Sequence, residues 1–255
     1  MTHHETFISH LERVIDANSI EEIWAIHLAK MAEYGFDRLL YGFTRFRTST
    51  SFGDHDDGLM LSNHDEAYLD EFVRKGLFAQ APMVRWATDH EGAGSWRKIS
   101  ERVRDGNLSP IEQRILDLNH RFGVTAGYSI SFRDLHVRAK GAIGLCARRD
   151  LTQDDVDAIW DKHGRELTVI NKVTHLRIAS MPFISSRRPL TARQREALEW
   201  VGDGKTTQDI ATIMGLTPAT VEKHLRLARE ALDVETTAQA VLKASFQNQI
   251  FIMTA

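Results

Sequence analysis

The stretch LTARQREALEWVGDGKTTQDIATIMGLTPATVEKHLRLAREAL (190–232) constrains this chain more than any other. Its apolar residues recur at helical spacing, break at MGLTP (214–218) and resume, so two short amphipathic helices meet at a tight glycine turn. Thr217 is placed to N-cap the second helix, and Pro218 sits in its first turn, where a missing N–H costs nothing. That helix directs Val221, Leu225 and Leu232 inward and Glu222, Lys223, Arg226 and Arg229 outward. One apolar stripe opposite long polar side chains suits the major groove of double-stranded DNA.

The rest of the composition narrows the class. At 255 residues the chain has room for one or two domains, and 42% apolar with 26% charged residues is ordinary for a globular protein. A single cysteine, Cys146, excludes an internal disulfide and fits a reducing cytoplasm; on a buried-looking strand it reads as a small hydrophobe. No apolar run approaches the ~20 residues of a membrane helix, and MTHHETFISHLERV has no signal-peptide core. The net charge of −3 gives no global basic field, and in residues 187–255 nine Lys/Arg face eight Asp/Glu. DNA affinity must therefore come from where the cations lie and from dimer avidity. The chain carries no G-x-S-x-G, P-loop, Rossmann or HExxH pattern, so neither an enzyme nor a cofactor is expected. Asp54, His55, Asp56 and Asp57 invite a metal, but they sit in a glycine-flanked run without ligand spacing and read as a solvated turn.

The chain divides near residue 180. SMPFISSRRP (180–189) reads as a linker of about ten residues. Before it, FISHLERVIDA, IEEIWAIHLAKMAEYG, DEAYLDEFVRKGLF, SPIEQRILDLNHRFG and a long segment from Leu151 read as helices. In the fourth, Ser109 caps, Pro110 follows, Glu112 completes a capping box and Gly123 ends the helix. RLLYGFTRF, a run after SFGDHDDG, AGYSISFRDL and KGAIGLCAR read as strands. The order predicts an α/β sandwich, a mainly antiparallel sheet flanked by helices, over residues 1–178, then a linker at 179–189 and an all-α helix-turn-helix domain over 190–255.

In the second domain LTARQREAL, W-V-G-D-GKT, DIA, TVEKH and AL-DV fall in the order and spacing of the LuxR family of quorum-sensing regulators, which the chain resembles over nearly its whole length. GFDRLLYGF, AYLDEF, APMVRW, GSW, FGVTAGYSISF and KGAIGLCAR lie where the family places their counterparts in an acyl-homoserine-lactone-binding domain. The resemblance implies a cytoplasmic homodimer that binds a palindromic operator and a small signal. In the family a Trp and, four residues later, a Tyr precede an Asp-Pro pair, and a second Trp follows fifteen residues after the Asp. Anchored on Pro82, this chain has Tyr68, Phe72, Ala81 and Trp96 at those positions, and only Trp96 matches. The family's Asp accepts the ligand amide N–H and its Tyr donates to the acyl carbonyl; Ala81 has no oxygen to offer and Phe72 no hydroxyl. Losing a charged and a neutral hydrogen bond weakens an unchanged acyl-homoserine lactone by about 2–4 kcal/mol, roughly 30- to 1000-fold. The pocket is therefore expected to take a different, less amide-dependent molecule. In the alternative it is filled or collapsed, and the domain serves only dimerisation or a protein partner.

Plain packing competes with each assignment. Tyr68 and Phe72 are one helical turn apart, a spacing equally natural for a core, and Trp96 can be a core aromatic. Phe43 and Tyr128 stand on inner-facing strands, as pocket or core. For DNA, Lys205, Thr206, Thr217 and Thr220 are phosphate-side candidates, and Lys223 is a sequence-neutral contact. Arg226 can grip guanine and Glu222 can accept from cytosine, unless the two form an i,i+4 ion pair. Glu196 has a role within its own domain. TTAQAVLKASFQNQ (236–249) offers Ala240, Val241 and Ala244 as a small-residue stripe, either for pairing two domains or for ordinary packing.

Overall fold

The computed structural model describes residues 6–47, 57–133, 136, 138–183 and 189–251, and the chain clusters into two compact units that meet in sequence at Ala179/Ser180. Each is described by itself.

The first unit opens with α1 (Phe7–Asp16) and α2 (Ile20–Glu33), started by Thr6 and Ser19 as N-caps. The sheet has five strands: β1 (Phe36–Thr44), β2 (Leu59–Ser62), β3 (Gly92–Ser95), β4 (Gly127–Ser131) and β5 (Lys140–Ala147). They lie in the order β2-β1-β5-β4-β3 with every neighbour antiparallel. Between β2 and β3 the chain forms α3 (Glu66–Leu69), a π-helical turn (Asp70–Arg74), a 3-10 turn (Leu77–Gln80) and α4 (Pro82–Asp89). Short α5 (Arg97–Arg104) and α6 (Pro110–Phe122) follow β3. The long α7 (Gln153–Ser180) closes the unit. The expected sandwich is what forms, and α6 carries both bonds of the Ser109/Glu112 capping box and ends at Gly123 with φ +69°.

Register assigns the two faces of the sheet. Leu40 pairs Gly144 and Gly42 pairs Ala142, while Gly144 pairs Ser129 and Cys146 pairs Gly127. Because side chains alternate along a strand, these residues share one face. Over it lie Tyr68, Phe72, Val73, Leu77, Ala81, Ile115 and Leu118 from the segment 68–81 and α6. Tyr41, Phe43, Tyr128 and Ile130 point the other way, toward α2 and α7. There Tyr41 packs on Trp24 and His175, and Phe43 on His175.

The second unit holds α8 (Ala192–Gly202), α9 (Thr207–Met214), α10 (Pro218–Leu232) and α11 (Thr237–Phe246) around Leu198, Ile210, Val221, Leu225 and Ala228. Three expectations change. Met181 and Phe183, expected in a linker, are buried, and the Phe183 N–H donates to the Gln247 carbonyl at 3.2 Å. Ala240 and Ala244 are fully buried against α8 and α10, so their small size serves close packing inside the unit; the exposed apolar residue of α11 is Leu242. Arg229 turns back to donate to Thr237 Oγ1 at 2.9 Å, joining α10 to α11 instead of facing outward.

Candidate ligand pocket and nucleic-acid interface

Tyr68, Phe72, Ala81 and Trp96 come together in one apolar cluster beneath the Gly42/Gly144 face, with Ile115, Leu118, Val124 and Cys146. The Tyr68 and Phe72 rings stack at 5.1 Å, and His64 stacks on Tyr68 at 5.0 Å. The Tyr68 hydroxyl donates to Asn119 Oδ1 on α6 at 3.0 Å, and burial pushes its ionisation above the ordinary tyrosine range. Ala81 is buried at the N-cap of α4 and supplies no capping oxygen. The Trp96 indole N–H donates to Ser129 Oγ at 2.9 Å. Its ring lies on Gly127, where a Cβ would come within 2.9 Å of Cζ3. Cys146 is fully buried, and burial pushes its thiol up to about 12, so it behaves as a hydrophobe.

A hollow opens beside this cluster. Among the described residues, a Cβ placed on Gly42 would meet nothing within 4 Å, and one on Gly144 would touch only Trp96 at 3.7 Å and the Leu40 carbonyl at 3.9 Å. Both glycines, with Ala142 between them, are only half-buried although they stand on the second and third strands of five. The large residues nearby leave the floor at Gly42 and Gly144 open. Trp86 lies over Gly94 of the edge strand β3, and Phe43 is on the opposite face.

Phe43 and Tyr128 do not join the site. Tyr128 stacks on Trp160 of α7 at 4.0 Å and 5°, and Phe43 meets His175 edge-on at 5.3 Å. Both sheet faces are covered by helices, so an inner-facing strand residue has two interiors to choose from. Gly42, Gly144, Ser129 and Asn119 escaped the sequence reading. The small residues at alternate positions of G-A-I-G and G-Y-S-I-S were the available signal. Asp54, His55 and Asp56 lie outside the described residues, among which no group of three or more His, Cys, Asp or Glu is arranged to hold a metal ion.

In the second unit, α9 and α10 form the expected helix-turn-helix. Gly215, with φ +65°, ends α9, and the Thr217 hydroxyl caps α10 by accepting from the Thr220 N–H at 3.2 Å. Thr220 is half-buried, its hydroxyl 2.9 Å from that of Thr217. Thr206 forms a capping box with Asp209, next to exposed Lys205. Glu222, Lys223 and Arg226 are exposed on α10. Glu222 accepts from the Thr207 hydroxyl at 2.9 Å and Arg226 pairs with Glu230, so each carries a partner other than the one expected between them. Glu196 pairs with Arg193 one turn earlier on α8.

These features define a DNA-binding regulator built from a hollow sheet-and-helix domain and a helix-turn-helix domain. Residues 19–178 match the family described as "Autoinducer binding domain", and residues 188–244 match "Bacterial regulatory proteins, luxR family". The chain belongs to this LuxR family of transcriptional regulators. It is 23% identical over 226 residues to the transcriptional activator protein AnoR of Acinetobacter nosocomialis, covering 88% of this chain and 90% of that one. It is 28% identical to the quorum sensing-dependent regulator RpaR of Rhodopseudomonas palustris, over 69% of each chain. Its fold is similar to that of Escherichia coli SdiA, with a TM-score of 0.51, 17% identity and coverage of 96% and 98%. It is also similar to CepR2 of Burkholderia cenocepacia, an N-acylhomoserine-lactone-dependent factor, with a TM-score of 0.53, 17% identity and coverage of 68% and 93%. Among the described residues no helix is long and apolar enough to cross a membrane.

Proposed function

We propose that this chain is a cytoplasmic, homodimeric transcriptional regulator that reads a palindromic operator and responds to a small molecule other than a standard acyl-homoserine lactone. Residues 1–178 act as sensor and dimerisation domain, 179–189 as connection and 190–255 as DNA reader. The observation that carries this is the open face at Gly42 and Gly144 beside a cluster whose Ala81 and Phe72 supply neither a carboxylate nor a hydroxyl. Space for a ligand is kept, and the groups that would hold an amide are gone. Trp96, Tyr68, Phe72 and Ala81 line the ligand site. Lys205, Thr206, Thr217, Thr220 and Lys223 meet phosphate, while Arg226 and Glu222 read bases.

A ligand-independent regulator is the second reading. It is favoured by the Tyr68 hydroxyl and the Trp96 N–H already having protein partners in Asn119 and Ser129. Calorimetric titration of the purified chain with octanoyl-homoserine lactone tests the signal assignment. We expect binding weaker than micromolar, and micromolar or tighter binding rejects it.

A further inference from the structure

Resting on the small-molecule reading above, we infer that the hollow takes a flat, neutral molecule that offers a carbonyl oxygen, such as an aryl ketone or a quinone.

The glycines point to something flat. Glycine weakens a strand interior and is kept there where another group must come close. Three of the six glycines in the strands have such a group within the protein, and a fourth, Gly92, has φ +91°. Gly94 has the Trp86 ring, Gly127 the Leu145 carbonyl at 2.2 Å and then the Trp96 ring, and Gly141 the His175 ring on the far face, each within 3.0 Å of where a Cβ would stand. Gly42 has nothing, and Gly144 has only contacts that an alanine would tolerate. Neither has a positive φ that would demand glycine for backbone reasons. They stand diagonally on β1 and β5 on the face where the Trp96 ring already packs against Gly127. That ring shows what this floor accommodates, and the open surface continues beside it.

The polar groups point to an acceptor. Ser129, directly across from Gly144, uses its oxygen to accept from Trp96, and its own proton has no acceptor among the described residues. Trp86 lies over Gly94, directly across from Ser129 on the other side, and its buried Nε1–H has no partner among the described residues. A buried donor left without an acceptor is costly, so two on one row call for an oxygen from outside the protein. No acceptor answers them on this face. Tyr68 is committed to Asn119, the Ser131 hydroxyl donates to the Ala87 carbonyl, and Ala81 has no oxygen. The residues of the floor itself, Gly42, Ala142, Gly144 and Ser129, carry no charge, and the cation at the end of this face, Lys140, donates to the Phe132 carbonyl at 3.3 Å and the His90 carbonyl at 3.5 Å.

The test uses the full chain and the solvatochromic ketone 6-propionyl-2-(dimethylamino)naphthalene. Its carbonyl-free parent, 2-(dimethylamino)naphthalene, is the control. We expect the wild type to bind the ketone about 3- to 10-fold or more tighter than the control. Ser129→Ala and Trp86→Phe should each cut ketone affinity about 3- to 10-fold and leave the control unchanged. Gly42→Val suits a strand, and its side chain enters open space. It should lower affinity for both dyes about 10-fold or more, with the circular dichroism spectrum preserved. If both dyes bind equally and only Gly42→Val weakens them, the carbonyl assignment falls while the small-molecule reading stands. If neither dye binds the wild type, both fall.

Discussion

Acidification is expected to loosen the first unit, because its far side is sealed by histidines that cannot charge in place. His27 is fully buried between α2 and α7, with Nε2 3.1 Å from Asn171 Oδ1 and Nδ1 3.2 Å from Thr174 Oγ1. Burial first, and the nearby His10 second, hold its pKa down to about 3 from an ordinary 6.5. His175 is held near 4, again chiefly by burial, with Tyr41 OH at 2.9 Å and its ring stacked on Phe132. A histidine depressed in the folded state takes up its proton only on unfolding once the pH drops below 6.5. Stability is therefore complete above about pH 7 and is lost toward acid, at about 1.4 kcal/mol per pH unit per site, until the folded pKa is reached. At pH 5 that is about 2 kcal/mol for each histidine, or about 4 kcal/mol together, against a typical total of about 5–15 kcal/mol. Urea unfolding of the wild type and His27→Gln at pH 7.5 and pH 5.0 measures it. Glutamine does not titrate, so whatever its effect at pH 7.5, it should shrink the acid loss by about 2 kcal/mol. An identical acid loss in the two proteins refutes the reasoning.

Three further outcomes follow from the two sites. Arg226→Ala should cost about 1–3 kcal/mol in operator binding and relax one base position, while Lys223→Ala weakens all sequences alike and lowers the salt slope by about one; gel shifts with a randomised operator distinguish them, and unchanged affinity and preference for Arg226→Ala rejects the base contact. Thr217→Ala removes the α10 cap and should cost about 1 kcal/mol of unfolding free energy, with Thr217→Ser retaining most of it. The double variant Phe72→Tyr/Ala81→Asp should raise affinity for octanoyl-homoserine lactone roughly 30- to 1000-fold by calorimetry; no gain would mean that these two groups are not what the pocket lacks.

Local chemistry was the legible part. The Ser109/Glu112 box, Gly123, Gly215 and the Thr217 cap are decided within a few residues, and the folded chain uses each as expected. β3 was not legible, because G-A-G-S has no apolar alternation. It is a strand only through its pairing with β4, and Gly94 is small because Trp86 lies on it. α4 and α5 were missed because each is only eight residues long; α4 buries Met83 and Ala87, and α5 buries none of its residues. Phe43 and Tyr128 mark another limit. Alternation says which residues share a face, but with helices on both sides it does not say which face is hollow. The stripe Ala240/Ala244 marks a third, since small side chains announce close approach without naming the surface approached.

The most direct test of the central claim is native mass spectrometry of the purified chain, followed by solvent extraction of anything released. The account predicts a dimer that carries one small neutral molecule per protomer, and an extract free of acyl-homoserine lactone. An empty dimer that still shifts operator DNA, or one loaded with an acyl-homoserine lactone, would contradict it.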